Sequence, residues 1–269
     1  MIADIDGSRF EWGSRTYVMG IVNTTPDSFS GDGLGTDQDQ AVAQGLRMVR
    51  EGADMIDVGG ESTRPGHQPV SASEEVARTE AVVARLAREA IVPISIDTYK
   101  LAVAEAAVAA GAAIINDIWG LTRSPELAQL AAANECALVV MHNQDGTDYP
   151  TDLMDEIKRF LRVAIDKAIE AGVPRERVLV DPGIGFGKTG EQNWVVMQRL
   201  AELRELGQPI LIGTSRKSFI GKVLDLPPDK RVEGTAATVT AAILRGADVV
   251  RVHDVREMSL VARAADRMR

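Results

Sequence analysis

Pro209-Ile-Leu-Ile-Gly-Thr-Ser-Arg-Lys-Ser-Phe-Ile-Gly221 joins a continuous aliphatic run to a cluster of hydroxyls and cations. Ile210, Leu211 and Ile212 have the pattern of a parallel strand covered on both faces. The run breaks at Gly213, and Ser215, Arg216, Lys217 and Ser218 fall where the next helix should start. Unpaired backbone N–H groups and the positive end of the helix dipole favour an anion at such a place. A solvated loop with ordinary capping serines is the competing reading.

The same unit, strand then polar turn then helix, recurs on both sides. Tyr17 to Val22 is apolar and opens into Asn23-Thr-Thr-Pro-Asp-Ser-Phe-Ser-Gly-Asp-Gly33, and Val42, Leu46, Val49 and Ala53 then recur at helical spacing. Met55 to Val58 runs into Gly59-Gly-Glu-Ser-Thr-Arg-Pro-Gly66, followed by a helix over about 73–88. Further strands are expected at 93–97, 113–117, 138–142, 178–181 and 248–252, each followed by a helix, including one continuous helix over about 191–206. Eight such pairs without a linker, a repeat or a low-complexity tract have the rhythm of a (β/α)8 TIM barrel, one domain over residues 1–269. A doubly wound open sheet uses the same alternation and is the alternative. Ahead of the barrel, Asp6-Gly7 between short mixed segments predicts an N-terminal β-hairpin.

Thirty basic against thirty-nine acidic residues leave a net charge of -9, which argues against a broad nucleic-acid or anionic-membrane surface. The first residues, Met-Ile-Ala-Asp-Ile-Asp6, lack a basic and apolar leader, and no run has membrane-spanning length. A soluble, cytoplasmic protein is the expectation. The single cysteine, Cys136, lies among apolar neighbours and reads as a buried small residue.

In a barrel the carboxyl ends of the strands converge on one face. That list here is Asn23, Thr63 with Arg64, Asp97, Asn116, Met141, Asp181, Lys217, and Arg251 with His253. Asp97, Asn116, Asp181 and Lys217 combine acceptors, an amide and a cation, which suits a planar heterocycle with ring NH, amino and carbonyl edges. Arg251 and His253 are two apart on one strand and so share a face; with Asn23 they could hold a phosphate and its divalent ion. His67 and His142 lack partners at metal spacing, and there is no zinc signature. Gly183-Ile-Gly-Phe-Gly-Lys-Thr189 is one residue too short for a phosphate-cradling P-loop and is better read as a tight, mobile loop.

Seven segments in order carry a resemblance: Asn23 to Ser30, Gly60 to Gly66, Ser95-Ile-Asp97, Ile115-Asn-Asp117, Asp181 to Gly187, Thr214 to Phe219 and Arg251-Val-His253. The chain resembles the dihydropteroate synthases over nearly its whole length. That resemblance implies condensation of 6-hydroxymethyl-7,8-dihydropterin diphosphate with p-aminobenzoate to 7,8-dihydropteroate and pyrophosphate. It implies pterin-holding roles for Asp97, Asn116, Met141, Asp181 and Lys217, diphosphate contacts at Asn23, Thr63, Arg251 and His253, and a Mg²⁺ ligand in Asn23. Asp97, Lys217, Arg251 and His253 would carry the chemistry. Ser218 would receive the p-aminobenzoate carboxylate, and Phe29, Arg64, Pro65 and Phe186 would frame that second substrate, where sulfonamides compete. A homodimer is implied on the same ground. The first loop departs from the family in reading Ser30-Gly-Asp-Gly33, since many members place the aspartate one position earlier. Two other readings share many of these residues: a pterin-binding methyltransferase domain and a non-catalytic pterin-binding paralogue.

Overall fold

The computed structural model describes residues 1–24, 38–61 and 69–269. The chain opens with an antiparallel hairpin, β1 (Ile2–Ile5) and β2 (Ser8–Glu11). Asp6 and Gly7 both have positive φ, 51° and 71°, as a two-residue type I′ turn requires. Eight parallel strands follow: β3 (Tyr17–Asn23), β4 (Met55–Gly59), β5 (Ile94–Asp97), β6 (Ile114–Asp117), β7 (Ala137–Met141), β8 (Val178–Asp181), β9 (Leu211–Ile212) and β10 (Val249–Val252). β3 pairs with β10, and β10 with β9. The ring closes between β8 and β9 through one bridge, Val180 to Ile210, reinforced by Val180 N–H donating to Pro209 O at 2.9 Å. The barrel expected from the alternation is therefore the observed fold, and the open sheet is not.

The helices are α1 (Gln38–Glu51), α2 (Ala72–Glu89), α3 (Leu101–Ala109), α4 (Leu127–Ala133), α5 (Leu153–Glu170), α6 (Gly190–Arg199), α7 (Ser218–Leu224), α8 (Val232–Leu244) and α9 (Val255–Ala265). One detail differs from the sequence expectation. The helix predicted to continue to Leu206 ends at Arg199 and tightens into a 3-10 segment, Leu200–Leu206, closed by Gly207 in the left-handed region. The unit after β9 has two helices, α7, which begins at Ser218 as the sequence predicts, and α8. Several N-termini are fixed by side chains, including Ser71 for α2, Asp152 for α5 and a Thr189–Gln192 capping box for α6. Among the described residues no helix is long and apolar enough to cross a membrane.

Two cores result from the period-2 alternation of buried strands. Outward residues such as Val22, Ile56, Ile96, Ile115, Val140, Val180, Ile212 and Val252 pack against the helices. Inward residues at the amino ends, Tyr17, Met19, Met55, Ile114, Val139, Leu179, Leu211 and Val249, form a separate cluster with Ala3, Ile5, Phe10 and Trp12 of the hairpin. The hairpin is thus the floor of the barrel. Phe10 and Trp12 stack at 5.2 Å, both meet the ring of Tyr17, and Trp12 Nε1 donates to Glu176 O at 2.9 Å. Truncating such a buried aromatic removes its packing and leaves a void, so Phe10→Ala should cost about 3–5 kcal/mol in denaturant unfolding. Turnover well below the melting temperature should be retained, because the far end of the barrel holds the polar residues.

Candidate active site

Along each strand the inward side chain changes character from floor to mouth. Met55 gives way to Asp57, Ile114 to Asn116, Leu179 to Asp181, Val249 to Arg251 and Ile21 to Asn23. β7 stays apolar, ending in buried Met141, and the two-residue β9 likewise carries no polar side chain. Asn23, Asp97, Asn116, Met141, Asp181 and Arg251 therefore meet at one mouth, as the strand-end argument requires. Lys217 joins them by a different route. It lies five residues beyond β9 as the N-cap of α7, and its Nζ donates to Ile184 O.

The centre is an ion-pair cluster. Arg251 Nε donates to Asp57 Oδ2 at 2.6 Å and its Nη2 to Asp97 Oδ2 at 2.6 Å. Asn116 Nδ2 donates to the same Asp57 oxygen at 3.0 Å. Burial pushes the Asp97 carboxyl up to about 7, with Arg251 pulling it down and Asp57, Glu75 and Asp117 pushing it further up. Burial likewise raises Asp181, against the pull of Lys217. Burial brings Lys217 down to about 8, with Asp181 opposing. The mouth thus holds a carboxyl, Asp97, and an ammonium, Lys217, both drawn toward neutrality, as expected of groups that engage a ligand.

Phe186 stands beside the cluster. Its ring lies 4.7 Å from Lys217 Nζ. The loop that carries it was expected to be mobile, yet it is tied at several points. Lys188 is buried, and its Nζ lies 2.9 Å from His142 Nδ1 and donates to Gly183 O and Phe186 O, both at 3.0 Å. Tyr149 Oη donates to Gly187 O at 2.8 Å, and Gly185 N–H to Asn193 Oδ1 at 2.6 Å. Gly183 has to be glycine: its φ is +71°, and a Cβ there would fall 2.0 Å from His142 O. Burial lowers Lys188 to about 7, while the loss of solvent and the neighbouring ammonium hold His142 down at about 3.

On the other side of the mouth, His253 Nδ1 lies 2.9 Å from Ser215 Oγ, which also accepts from His253 N–H at 3.1 Å. His253 and Asn23 line a cleft of about 340 Å³ between α1 and α9, together with Gln44, Arg47, Arg216 and Arg256. Ser218 is exposed at the first turn of α7. Phe29, Thr63, Arg64 and Pro65, with Asp32 and His67, lie outside the described residues. The flanks of residues 62–68 are described and are braced together: Lys100 Nζ donates to Glu61 Oε2 at 2.7 Å, Glu75 Oε2 at 2.6 Å and Val70 O at 2.8 Å. Cys136 is buried away from all of this, and burial raises its thiol to about 11.

For a divalent ion the donor chemistry is suggestive. A Cβ placed on Gly59 would stand 3.7 Å from both Asn23 Oδ1 and Asp97 Oδ2, so glycine leaves room between two oxygens. Among the described residues no three His, Cys, Asp or Glu side chains gather to hold a metal. Oxygen donors such as Asn23 Oδ1 suit Mg²⁺, which keeps several waters and is bound largely through substrate phosphate.

The model for the family described as pterin binding enzyme matches residues 19–253, which takes in the strand-end residues of the mouth from Asn23 to His253. The chain belongs to the pterin-binding enzyme family. Within that family it is 49% identical over 263 residues to the dihydropteroate synthase of Clostridium beijerinckii, covering 97% of both chains. It superposes with a TM-score of 0.92 on a dihydropteroate synthase from Clostridium difficile solved in the presence of pteroic acid, at 50% identity over 96% of this chain and 98% of that one. The Xanthomonas albilineans dihydropteroate synthase with 4-aminobenzoic acid gives a TM-score of 0.93 at 41% identity, over 99% and 97% of the two chains.

Of the pterin-binding enzyme's mouth residues, three escaped the sequence reading. Asp57 is inside a strand rather than at its end, although its parity with Met55 marks it as inward. Lys188 and His142 meet across 46 positions of sequence. No local spacing announces that pair.

Proposed function

We infer that this chain is a dihydropteroate synthase, condensing 6-hydroxymethyl-7,8-dihydropterin diphosphate with p-aminobenzoate to 7,8-dihydropteroate and pyrophosphate. The observation that carries the reading is the full-length match, in sequence and in fold, to the Clostridium difficile enzyme that was solved with pteroic acid. The charge pattern of the mouth supports it. Asp97 and Asp181 offer acceptors to ring NH and amino groups, Asn116 offers both functions, and Lys217 donates to a carbonyl or ring nitrogen. Met141 packs against the ring face. Asn23, Arg251 and His253, with Thr63, take the diphosphate.

The reaction breaks the C–O bond to the diphosphate and forms a C–N bond to the arylamine, which gives up a proton. Arg251 and His253 stabilise the departing charge, and the buried Asp97 supplies negative potential to the methylene cation that is conjugated with the pterin. No side-chain nucleophile is required. Asn23 would hold Mg²⁺, which supplies charge neutralisation on the diphosphate when bound. Ser218 at the start of α7 receives the p-aminobenzoate carboxylate, and Phe186, with Phe29, Arg64 and Pro65, walls that pocket. We take residues 1–269 as one pterin-binding domain that acts in the cytoplasm. Association as a homodimer is supported by the exposed apolar side chains Val223, Leu224 and Leu226 at the end of α7. Light scattering at micromolar concentration should give twice the chain mass.

Pyrophosphate release by the purified protein with Mg²⁺ and the pterin diphosphate, with and without p-aminobenzoate, tests the assignment. Release that requires both substrates and yields a pteroate is expected. Pterin binding with no release in either condition would make the chain a non-catalytic binder. Sulfonamide sensitivity is expected because Phe186 is flanked directly by glycines, without the additional residue that would resemble sulfonamide-insensitive members of the family. Sulfamethoxazole should inhibit competitively with p-aminobenzoate; turnover unaffected at high drug concentration would overturn this.

A further inference from the structure

Arg251 is held by two carboxylates that differ in one respect. The Asp57 side chain is fully buried at 0% exposure, whereas that of Asp97 retains 11% at the mouth. Asp57 grips the guanidinium at Nε, its inner nitrogen, while Asp97 holds the outer Nη2. The gripping oxygen of Asp57 is itself fixed, since it also accepts from Asn116 Nδ2. Arg251 Nη1 has no hydrogen-bond partner among the described residues.

A pterin ring that hydrogen-bonds Asp97 competes with Arg251 Nη2 for the same carboxylate. An arginine between two carboxylates also has its charge more than offset, which is a poor arrangement for receiving a diphosphate. Releasing Nη2 from Asp97 removes both conflicts at once. The guanidinium then stays anchored at Nε, and two outer nitrogens face the mouth as a fork suited to phosphate oxygens. We propose that Asp57 is a positioning residue for the condensation: it is the fixed hinge on which Arg251 turns from Asp97 to the diphosphate when the pterin binds. Pterin recognition and leaving-group stabilisation are thereby coupled through one ion-pair exchange. A second observation sets Asp57 apart from a residue kept for stability. Its Oδ1, and Ser95 Oγ at the matching register position of β5, are buried without hydrogen-bond partners. Buried polar atoms are rarely left so in a purely structural core.

The inference rests on the roles given above to Asp97 and Arg251, and the experiment separates the two. Pyrophosphate affinity, the affinity of 6-hydroxymethylpterin lacking the diphosphate, and kcat are measured for the wild type, Asp57→Ala, Asp57→Asn and Arg251→Gln. Asp57→Ala removes the tether, so pyrophosphate affinity and kcat should each fall by roughly tenfold to a hundredfold, with a distinctly smaller loss in pterin affinity. Asp57→Asn keeps an acceptor oxygen in the same shape but loses the charge assistance, so it should lie between, with roughly a threefold to tenfold loss in both and pterin affinity unchanged. Should the alanine variant not fold, the near-isosteric asparagine variant decides. Wild-type pyrophosphate affinity and kcat in Asp57→Asn, or a loss of pterin affinity as large as the loss of kcat, overturns the hinge. If Arg251→Gln binds pyrophosphate as tightly as the wild type, the role given to Arg251 fails. If Arg251→Gln loses that affinity and the Asp57 variants do not, the hinge alone fails.

Discussion

Asp97→Asn should give a folded barrel that still binds pterin and turns over at least about a hundredfold more slowly, the scale of removing one preorganised group from a charge-developing site. The substitution conserves shape, and Arg251 keeps its contact with Asp57, so the cluster retains an ion pair. What disappears is a buried negative charge close to where positive charge develops. The pH dependence gives an independent check. In the wild type, Asp97 takes a proton as the pH falls below about 7, so kcat/KM for the pterin diphosphate should decline there, and the asparagine variant should lack that acid limb. The stability effect has the opposite sign. A carboxyl whose folded pKa lies above its unfolded one contributes stability that is present at low pH and lost as the pH rises through about 7. The asparagine variant should therefore melt at an equal or higher temperature above neutrality. Near-wild-type turnover in it would remove Asp97 from the mechanism.

The second large effect is expected at Lys188, which is given no substrate contact of its own and acts through Phe186. Lys188→Met deletes the ammonium that ties Gly183 O, Phe186 O and His142 Nδ1 together. The stability change should be small because two terms oppose each other: burying an ammonium is costly, and so is leaving buried acceptors unpaired. Catalysis has no such offset. Without its tie, the loop no longer holds Phe186 against Lys217, and displacement of a positioning wall by about 1 Å can cost on the order of a hundredfold. The KM for p-aminobenzoate should rise by about tenfold or more and that for the pterin diphosphate much less. Lys188→Arg should not rescue, since a larger planar group does not fit a site that is 8% exposed. Equal increases in both KM values would show that the loop serves the whole mouth rather than the second substrate.

Most of the architecture could be read from the chain because buried parallel strands advertise themselves as aliphatic runs, and several of them carry a polar residue at the mouth. Asn23, Asp97, Asn116 and Asp181 were legible for that reason. Reading only the strand ends is also why Asp57 escaped: it sits one inward step deeper, in the middle of Met55–Gly59, where a fully buried aspartate looks like an interruption of an apolar run. Lys217 reaches the cluster from a loop, and its placement depends on the turn that begins α7 rather than on strand parity. The tie between Lys188 and His142 was illegible in principle from local pattern, because two loops that meet only in the folded barrel create it. Gly183-Ile-Gly-Phe-Gly187 looked loose because of its glycines. They serve close approach instead, and the restraint comes from side chains elsewhere.

The hairpin floor sets a rule of traffic. Ala3, Ile5, Phe10 and Trp12 stop the barrel at its base, so among the described residues Asp97, Asn116 and Asp181 face the same end as Ser218 and Phe186. For the substrate positions proposed above, the expected outcome is an ordered queue in which the deeper guest arrives first, which product-inhibition kinetics would check.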